Sequence, residues 1–441
     1  MEKKVVLFFP FLEEGKDFHW PPISLLALAT VLKQNNFKCV IIDERVDGDA
    51  HNTLKRELKD ALCLGLTAFT GFSLSRSVEA AKICREFYPQ LPIIWGGPHV
   101  TALPEQSKKS SLVDDVVEGY GEFEFLEKVK RIAEGKDYKI PIDGSNWRSK
   151  LMANDMPTIP YDLLDIKKYI NKKTEASIYL SSYGCPGQCT FCSTQVLRRW
   201  TPFSLEKVKR DLDNLFAQYP FKQLVFFDAT LFANIKRAME IIEYIQKFNV
   251  SWIADARTYE ASCLTPENIS WLEKSGLKSL SIGLETGSSH MVEIFNKGQG
   301  HIERMYKIAN NFKDSPIKIV TGIIFGSPGE TIDDLKETLR VIKDLKIINS
   351  NFQVGTTFFR PLPGTALYDT LEQKYGYKFP QSLEEWAEYS AGSHYKYNQF
   401  MDIPWFDKKT AEEYYRIYTE FWKNNAFILS TGADLLKIKD K

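Results

Sequence analysis

Three cysteines, Cys185, Cys189 and Cys192, stand within eight residues in the spacing C-x3-C-x2-C. The segment reads Tyr183-Gly184-Cys185-Pro186-Gly187-Gln188-Cys189-Thr190-Phe191-Cys192. Thiolates are the usual protein ligands of iron–sulfur clusters. Three on one loop can hold three irons of a [4Fe–4S] cubane and leave the fourth open to a substrate or cofactor. Gly184 and Gly187 let the loop turn tightly around such a cluster. Zinc is the competing reading, but structural zinc takes four ligands, and no further Cys or His lies close by to supply one. The other four cysteines, Cys39, Cys63, Cys84 and Cys263, are scattered among apolar neighbours and read as small buried hydrophobes. Seven is an odd total, which argues against a disulfide framework in a chain of this size.

The elements that must position the triplet alternate between strand and helix. Apolar runs at 178–182, 223–227, 251–254, 279–284, 319–325 and 352–358 suit strands, and the triplet follows the first. The helix after the fifth is well signalled. Thr331 can cap it, Asp333 and Asp334 favour its positive end, and Ile332, Leu335, Leu339, Ile342 and Leu345 form one apolar stripe. Six strand–helix units predict a partial (β/α)6 barrel of the TIM type, with its chemistry at the carboxyl ends of the strands.

Upstream, runs at 5–10, 39–43, 63–68, 93–96 and 113–118 alternate with helical patterns at 23–34, 75–87 and 122–134. Strands of this continuous apolar kind are buried on both faces. The alternation predicts an open, doubly wound, flavodoxin-like sheet whose ligand lies beyond the strands' carboxyl ends. The expected organisation is therefore α/β throughout: a first domain over 1–137, a linker and lead-in over 138–174, the barrel over 175–375, and an extension over 376–441. That extension is rich in Trp and Tyr and expected to be mostly helical after Asp407. Trp386, Tyr389, Trp405 or Tyr415 could shape a substrate pocket there, core packing being the plainer role.

With 57 basic and 57 acidic residues in 441, the net charge is zero. Nothing favours bulk attraction to nucleic acid or to an anionic membrane. The opening apolar run lacks the form of a signal peptide, and no apolar stretch reaches the ~20 residues of a membrane helix. A cytoplasmic enzyme is expected.

The triplet, with an aromatic residue immediately before its last cysteine, resembles the signature of the radical S-adenosylmethionine (SAM) enzymes. In that family the open iron binds the amino and carboxylate groups of SAM, and one electron then releases a 5′-deoxyadenosyl radical. The likeness continues along the barrel. Phe227-Asp228 ends the second strand. Gly283-Leu284-Glu285-Thr286-Gly287-Ser288 resembles the fourth-strand motif and is followed by Asn296-Lys297-Gly298. The run from Gly322 through Ile324 and Gly326 to Glu330 resembles the adenine-side fifth-strand motif, and Phe359-Arg360-Pro361-Leu362-Pro363-Gly364-Thr365 the sixth-strand turn. The second strand lacks the family's Gly-Gly-Glu form. The candidate SAM contacts are Phe191, Asp228, Arg257, Glu285, Gly322, Ile324 and Gly326. Phe191 either stacks on adenine or shields the cluster. Asp228 and Glu285 either accept hydrogen bonds from SAM or cap helices. Arg257 either pairs with the SAM carboxylate or forms a surface salt bridge.

The first domain carries Pro21-Pro22 at its first helix, small residues over 65–71, then Gly96-Gly97-Pro98-His99 and Gly119-Tyr120-Gly121-Glu122 at strand ends. Over residues 3–135 it resembles the cobalamin-binding domain that precedes many radical SAM barrels. The likeness implies contacts from Thr70, Gly71, Gly96, Gly97, His99, Gly119 and Glu122. No D-x-H-x-x-G occurs, so no histidine is expected to ligate cobalt; His99 reads as a structural or corrin-contact residue. The paired likeness implies a class B radical SAM methyltransferase with a [4Fe–4S] cluster, SAM and cobalamin. One SAM would methylate cobalamin, and a second would yield the radical that activates a carbon or a phosphinate phosphorus. A cyclisation, rearrangement or dehydrogenation with the same cofactors is the alternative, and a non-catalytic corrinoid or SAM sensor the third. Expected partners are a small-molecule or peptide substrate and a reductant such as flavodoxin or ferredoxin.

Overall fold

Long runs of Val, Leu, Ile and Phe with no polar alternation require cover on both faces, and the first strands have it. In the computed structural model, which describes residues 3–12, 19–142, 147–197, 199–391 and 404–429, β1 (Lys4–Phe9) buries Val5 through Phe9 completely or nearly so. Around it stand β2 (Lys38–Asp43), β3 (Ala61–Thr67), β4 (Ile93–Gly96) and β5 (Asp115–Val116). All pair in parallel, in the order β2-β1-β3-β4-β5. This is the expected flavodoxin-like order, with its switch point between β1 and β3. Helices Ile23–Gln34, Ala50–Leu58, Phe72–Phe87 and Glu122–Ala133 flank it. Gly65 of β3 is a packing glycine: a Cβ there would stand 2.7 Å from Leu7 Cδ2 and 3.0 Å from Phe125 Cζ.

The chain divides into two units, one comprising Met1–Ser182, Val196–Lys222 and Lys378–Ser393, the other Tyr183–Gln195, Gln223–Tyr377 and His394–Lys441. In the first, the stretch expected as a linker is pinned down. Tyr161, Ile166 and Tyr169 are buried, and the Tyr169 hydroxyl donates to Asp43 at 3.0 Å. The 205–218 helix carries the buried Lys207–Asp211 pair at 2.8 Å. Asp211 also accepts from the Ile159 amide at 2.9 Å and the Tyr179 hydroxyl at 3.1 Å. This fixes β6 (Ala176–Tyr179), where the triplet's lead-in begins. Two-residue strands β7 (Ser182–Tyr183) and β8 (Thr201–Pro202) follow. Helix Leu383–Ala391 also packs in this unit, where Ser110 donates to Glu384 at 2.5 Å and Gln106 to the Pro380 carbonyl at 3.1 Å.

The second unit holds β9 (Gln223–Phe226), β10 (Ser251–Ala256), β11 (Leu277–Ile282), β12 (Lys318–Phe325) and β13 (Phe352–Phe358), all parallel, in the order β13-β12-β11-β10-β9. Here burial alternates. In β12, Ile319, Thr321, Ile323 and Phe325 are buried, while Val320, Gly322 and Ile324 lie on the accessible face. Helix Ile332–Ile348 starts as expected: the Thr331 hydroxyl accepts from the Asp334 amide at 3.2 Å, and the Asp334 carboxylate accepts from the Thr331 amide at 2.9 Å. The tail forms helix Lys408–Asn425, capped by Asp407. Among the described residues no helix is long and apolar enough to cross a membrane.

Candidate functional site

The cysteine loop is held by its own backbone and by neighbours in its unit. Gly184 takes φ +70°, the left-handed turn that only glycine adopts at little cost. The Gly187 amide donates to Cys185 Sγ at 3.3 Å, and Gln195 donates to the Gly187 carbonyl at 2.6 Å. Thr190 anchors the middle. Its amide and hydroxyl donate to the Phe295 and Ile294 carbonyls at 3.2 and 2.7 Å, and its own carbonyl accepts from the Leu367 amide at 3.0 Å. Asn296 donates to the Gln188 carbonyl at 2.9 Å. Cys192 Sγ lies 3.0 Å from the Thr194 hydroxyl. All three thiols are free and half-buried.

Burial pushes the Cys185 and Cys189 thiols up, opposed at Cys185 by the Gly187 amide and Arg257 and at Cys189 by Lys297. Ligation must therefore displace protons from these thiols, and the two cations can offset the negative charge of a thiolate-ligated cluster. Among the described residues no three His, Cys, Asp or Glu side chains gather as ligands of one metal ion. A cubane meets its thiolates at separate irons, so three free thiols spread along one loop fit a cluster better than a single ion.

Glu285 sits at the carboxyl end of β11 with φ +64°. Its amide donates to the Gly322 carbonyl at 2.8 Å and its carbonyl accepts from the Ile324 amide at 2.9 Å, so the residue is clamped to β12. The carboxylate folds back over glycine: a Cβ at Gly283 would stand 2.2 Å from Glu285 Oε1, and one at Gly322 3.6 Å from Oε2. Lys297 Nζ lies 3.5 Å from the carboxylate and 6.0 Å from the Phe191 ring centre. Burial raises the Glu285 carboxyl and Lys297 opposes the rise. Phe191 packs edge-on against Phe295 at 4.8 Å.

Behind this carboxylate is His301, which the sequence reading did not single out. It is 1 % exposed. Nε2 lies 2.8 Å from the Leu284 carbonyl and Nδ1 2.9 Å from the Thr258 hydroxyl. A carbonyl only accepts, so Nε2 carries the proton and Nδ1 accepts from Thr258. Burial pushes the imidazole down to about 3 and keeps it neutral. His301 thus fixes the residue next to Glu285.

The remaining predicted SAM contacts divide. Arg257 lies against the cysteine loop, its Nε 3.3 Å from where a Gly187 Cβ would be, and its Nη1 3.3 Å from Glu260. Gly322 and Ile324 line the accessible face of β12. Asp228 is 1 % exposed, whereas Phe227 beside it is 59 % exposed. Alternation along the strand presents the phenyl ring, not the carboxylate. The Gly326 amide donates to the Tyr414 hydroxyl and its carbonyl accepts from Trp405 Nε1, both at 3.0 Å. Tyr414 in turn donates to Glu330 at 2.9 Å, and Glu330 accepts from the Ser327 amide at 3.0 Å. Of the tail aromatics, Trp405 braces this turn and Trp386 is buried in the first unit. Tyr389 is exposed, and Tyr415 packs on Tyr418 at 6.4 Å.

In the first unit, Thr70 and Gly71 follow β3, Gly96 and Gly97 end β4, and Gly119 follows β5, all partly accessible at the carboxyl edge. Gly71 and Gly119 have positive φ, and an added Cβ at either would meet nothing within 4 Å. Gly97 also has positive φ but serves packing: a Cβ would stand 2.8 Å from the Ala68 carbonyl. Glu122 is 3 % exposed, at the start of the 122–133 helix. His99 is 1 % exposed, with Nδ1 3.0 Å from the Thr70 hydroxyl and its ring edge-on to Trp386 at 5.5 Å. Its Nε2 is buried without a hydrogen-bond partner, and burial pushes the imidazole down to about 4. The open glycines, the Thr70 hydroxyl and this orphaned nitrogen fit a bulky ligand laid across the strand ends.

Residues 179–342 match the model of the Radical SAM superfamily, and residues 17–127 that of the B12 binding domain. An uncharacterized methyltransferase, PH0819, of Pyrococcus horikoshii is 29 % identical over 370 residues, covering 79 % of this chain and 78 % of that protein. The anaerobic magnesium-protoporphyrin IX monomethyl ester cyclase of Cereibacter sphaeroides is 24 % identical over 384 residues, covering 80 % and 61 %. Among solved structures, the radical S-adenosylmethionine methyltransferase TsrM from Kitasatospora setae, with cobalamin and a [4Fe–4S] cluster bound, superposes with a TM-score of 0.69. It is 16 % identical, covering 86 % of this chain and 76 % of that one, and so shares the fold alone.

Proposed function

Because the chain belongs to the radical SAM enzymes that carry an amino-terminal B12-binding domain, we propose that it is a cobalamin-dependent radical SAM methyltransferase acting on an unactivated carbon or a phosphinate phosphorus. The observation that carries the reading is the loop of three free thiols between Arg257 and Lys297, beside the clamped Glu285. When bound, the reduced cluster supplies the electron that cleaves SAM, and cobalamin supplies a methyl carrier.

The chain's own residues do the positioning. Cys185, Cys189 and Cys192 would hold the cluster through their thiolates. Arg257 and Lys297 balance its charge, and Arg257 is placed to pair with the SAM carboxylate. Glu285 accepts hydrogen bonds from SAM, held in place by His301 and Lys297, while Gly283 and Gly322 leave the space it needs. Phe191, packed on Phe295, keeps water from the loop. Thr70, Gly71, Gly96, Gly97 and Gly119 would cradle the corrin, and His99, held by the Thr70 hydroxyl, would contribute hydrogen bonding to it. The substrate is a small molecule or a peptide, and the electron comes from a flavodoxin or ferredoxin.

The test is isotopic. With reductant and substrate, one SAM should appear as S-adenosylhomocysteine and another as 5′-deoxyadenosine plus methionine. Substrate deuterium should enter the 5′-deoxyadenosine, and methyl-labelled SAM should label the product. The similarity to a ring-forming cyclase supports a second reading, oxidative cyclisation on the same scaffold. Deuterium transfer without methyl label in the product would select it.

A further inference from the structure

The sheet of the second unit has a buried face and an accessible one, and on the accessible face the register draws a row across the strands. Asp255 of β10 pairs with Ser281 of β11, Ser281 with Val320 of β12, and Val320 with Gln353 of β13. Val225 of β9 pairs with Ile253 of β10, so two residues on, on the same face, Phe227 extends the row past Asp255. Phe227 is 59 % exposed and Asp255 is exposed as well. The next level is glycine: Gly283 follows Ser281 by two residues, and Gly322 pairs with Gly355. The Glu285 carboxylate occupies the space over Gly283 and Gly322, so the open part of this face is the row itself, beside that carboxylate.

Asp255 is the one charged side chain in this row, and Ser281 is its cross-strand neighbour. Surrounding protein pushes its carboxyl up to about 6, with Asp228 adding to the rise. Beside it the Phe227 ring offers an apolar face, which also attracts a cation through its quadrupole.

We propose that this row is the floor of the substrate site and recognises an organic ammonium group borne on a flat apolar body, the ammonium on Asp255 and the flat body on Phe227. The assignment rests on the radical SAM reading, which makes this accessible face the place where substrate meets the radical. No residue of the row belongs to the cysteine loop or to the Glu285–Lys297 pair. It is therefore testable apart from them.

The probe is phenethylammonium, compared with phenylacetate and 2-phenylethanol, titrated by ligand-observed NMR into the anaerobically reconstituted protein with and without SAM. The ammonium should bind saturably, the carboxylate should not, and the alcohol should bind more weakly. Asp255→Asn should weaken the ammonium at least about tenfold, the loss expected for one charge-assisted contact, and leave the alcohol unchanged. Phe227→Ala should weaken both. Iron content and the SAM-induced change in the cluster's paramagnetic resonance spectrum should match the wild type in both variants. Equal binding of ammonium and carboxylate, no saturable ammonium binding, or an unaffected Asp255→Asn variant would overturn the proposal. A wild-type cluster that ignored SAM would instead overturn the reading on which it rests, while the titration without SAM would still decide the role of Asp255.

Discussion

Glu330 should make this protein less stable as the pH rises through neutrality. The residue is 5 % exposed, and burial pushes its carboxyl up to about 8 despite hydrogen bonds from the Ser327 amide and Tyr414. A carboxyl raised on folding binds its proton more tightly in the folded state. Its contribution is complete below the ordinary value near 4.5 and is lost as the pH climbs to about 8. At about 1.4 kcal/mol per pH unit, the whole loss is at most about 5 kcal/mol. Glu330→Gln stays neutral throughout and preserves the shape of the Gly326–Tyr414 turn. Urea unfolding of the two apoproteins between about pH 5 and 9 isolates the effect, because the other titrating groups largely cancel in the difference. The variant should gain on the wild type by several kcal/mol across that range and hold the gain above it. A difference that did not change with pH would refute the argument and mean that Glu330 is ionised in the folded protein.

Gly283→Ala should displace the Glu285 carboxylate, since its Cβ would stand 2.2 Å from Oε1; SAM affinity should fall at least about tenfold with iron content unchanged, as read from the cluster's response to SAM. His301→Ala leaves the Leu284 carbonyl and Thr258 hydroxyl without their buried partner and should cost about 1–3 kcal/mol in urea unfolding. Gly119→Ala adds a methyl into open space at φ +72°; the fold should tolerate it at about 1 kcal/mol, while retention of hydroxocobalamin on anaerobic gel filtration should drop. With cobalamin bound, the paramagnetic resonance spectrum should show no nitrogen coupling from a histidine, and His99→Ala should leave it unchanged.

Much of the scaffold is legible because buried parallel strands are continuous apolar runs: β4 and β13 fall at the expected residues, as does the 23–34 helix. Helix Ala50–Leu58 escaped notice because its stripe is only Ala50, Leu54 and Leu58 in a polar segment. The run at 113–118 shrinks to two paired residues because the sheet ends there. At the site, residue type and spacing identified the thiols, and Glu285 was marked by its glycine neighbours. Side-chain direction at strand ends was not legible. Phe227 and Asp228 are adjacent, and only the completed sheet decides which one reaches the accessible face. His301, Tyr414 and Glu330 act through partners tens of residues away, and such pairings leave no local pattern.

The account stands most directly on one measurement: 5′-deoxyadenosine formed from SAM by the anaerobically reconstituted, reduced protein. The wild type should contain one [4Fe–4S] cluster and release 5′-deoxyadenosine, and the variant with Cys185, Cys189 and Cys192 all changed to Ala should have neither. A triple variant that kept the full iron content and cubane spectrum, or a cluster-replete wild type that never cleaved SAM with reductant and substrate present, would contradict it.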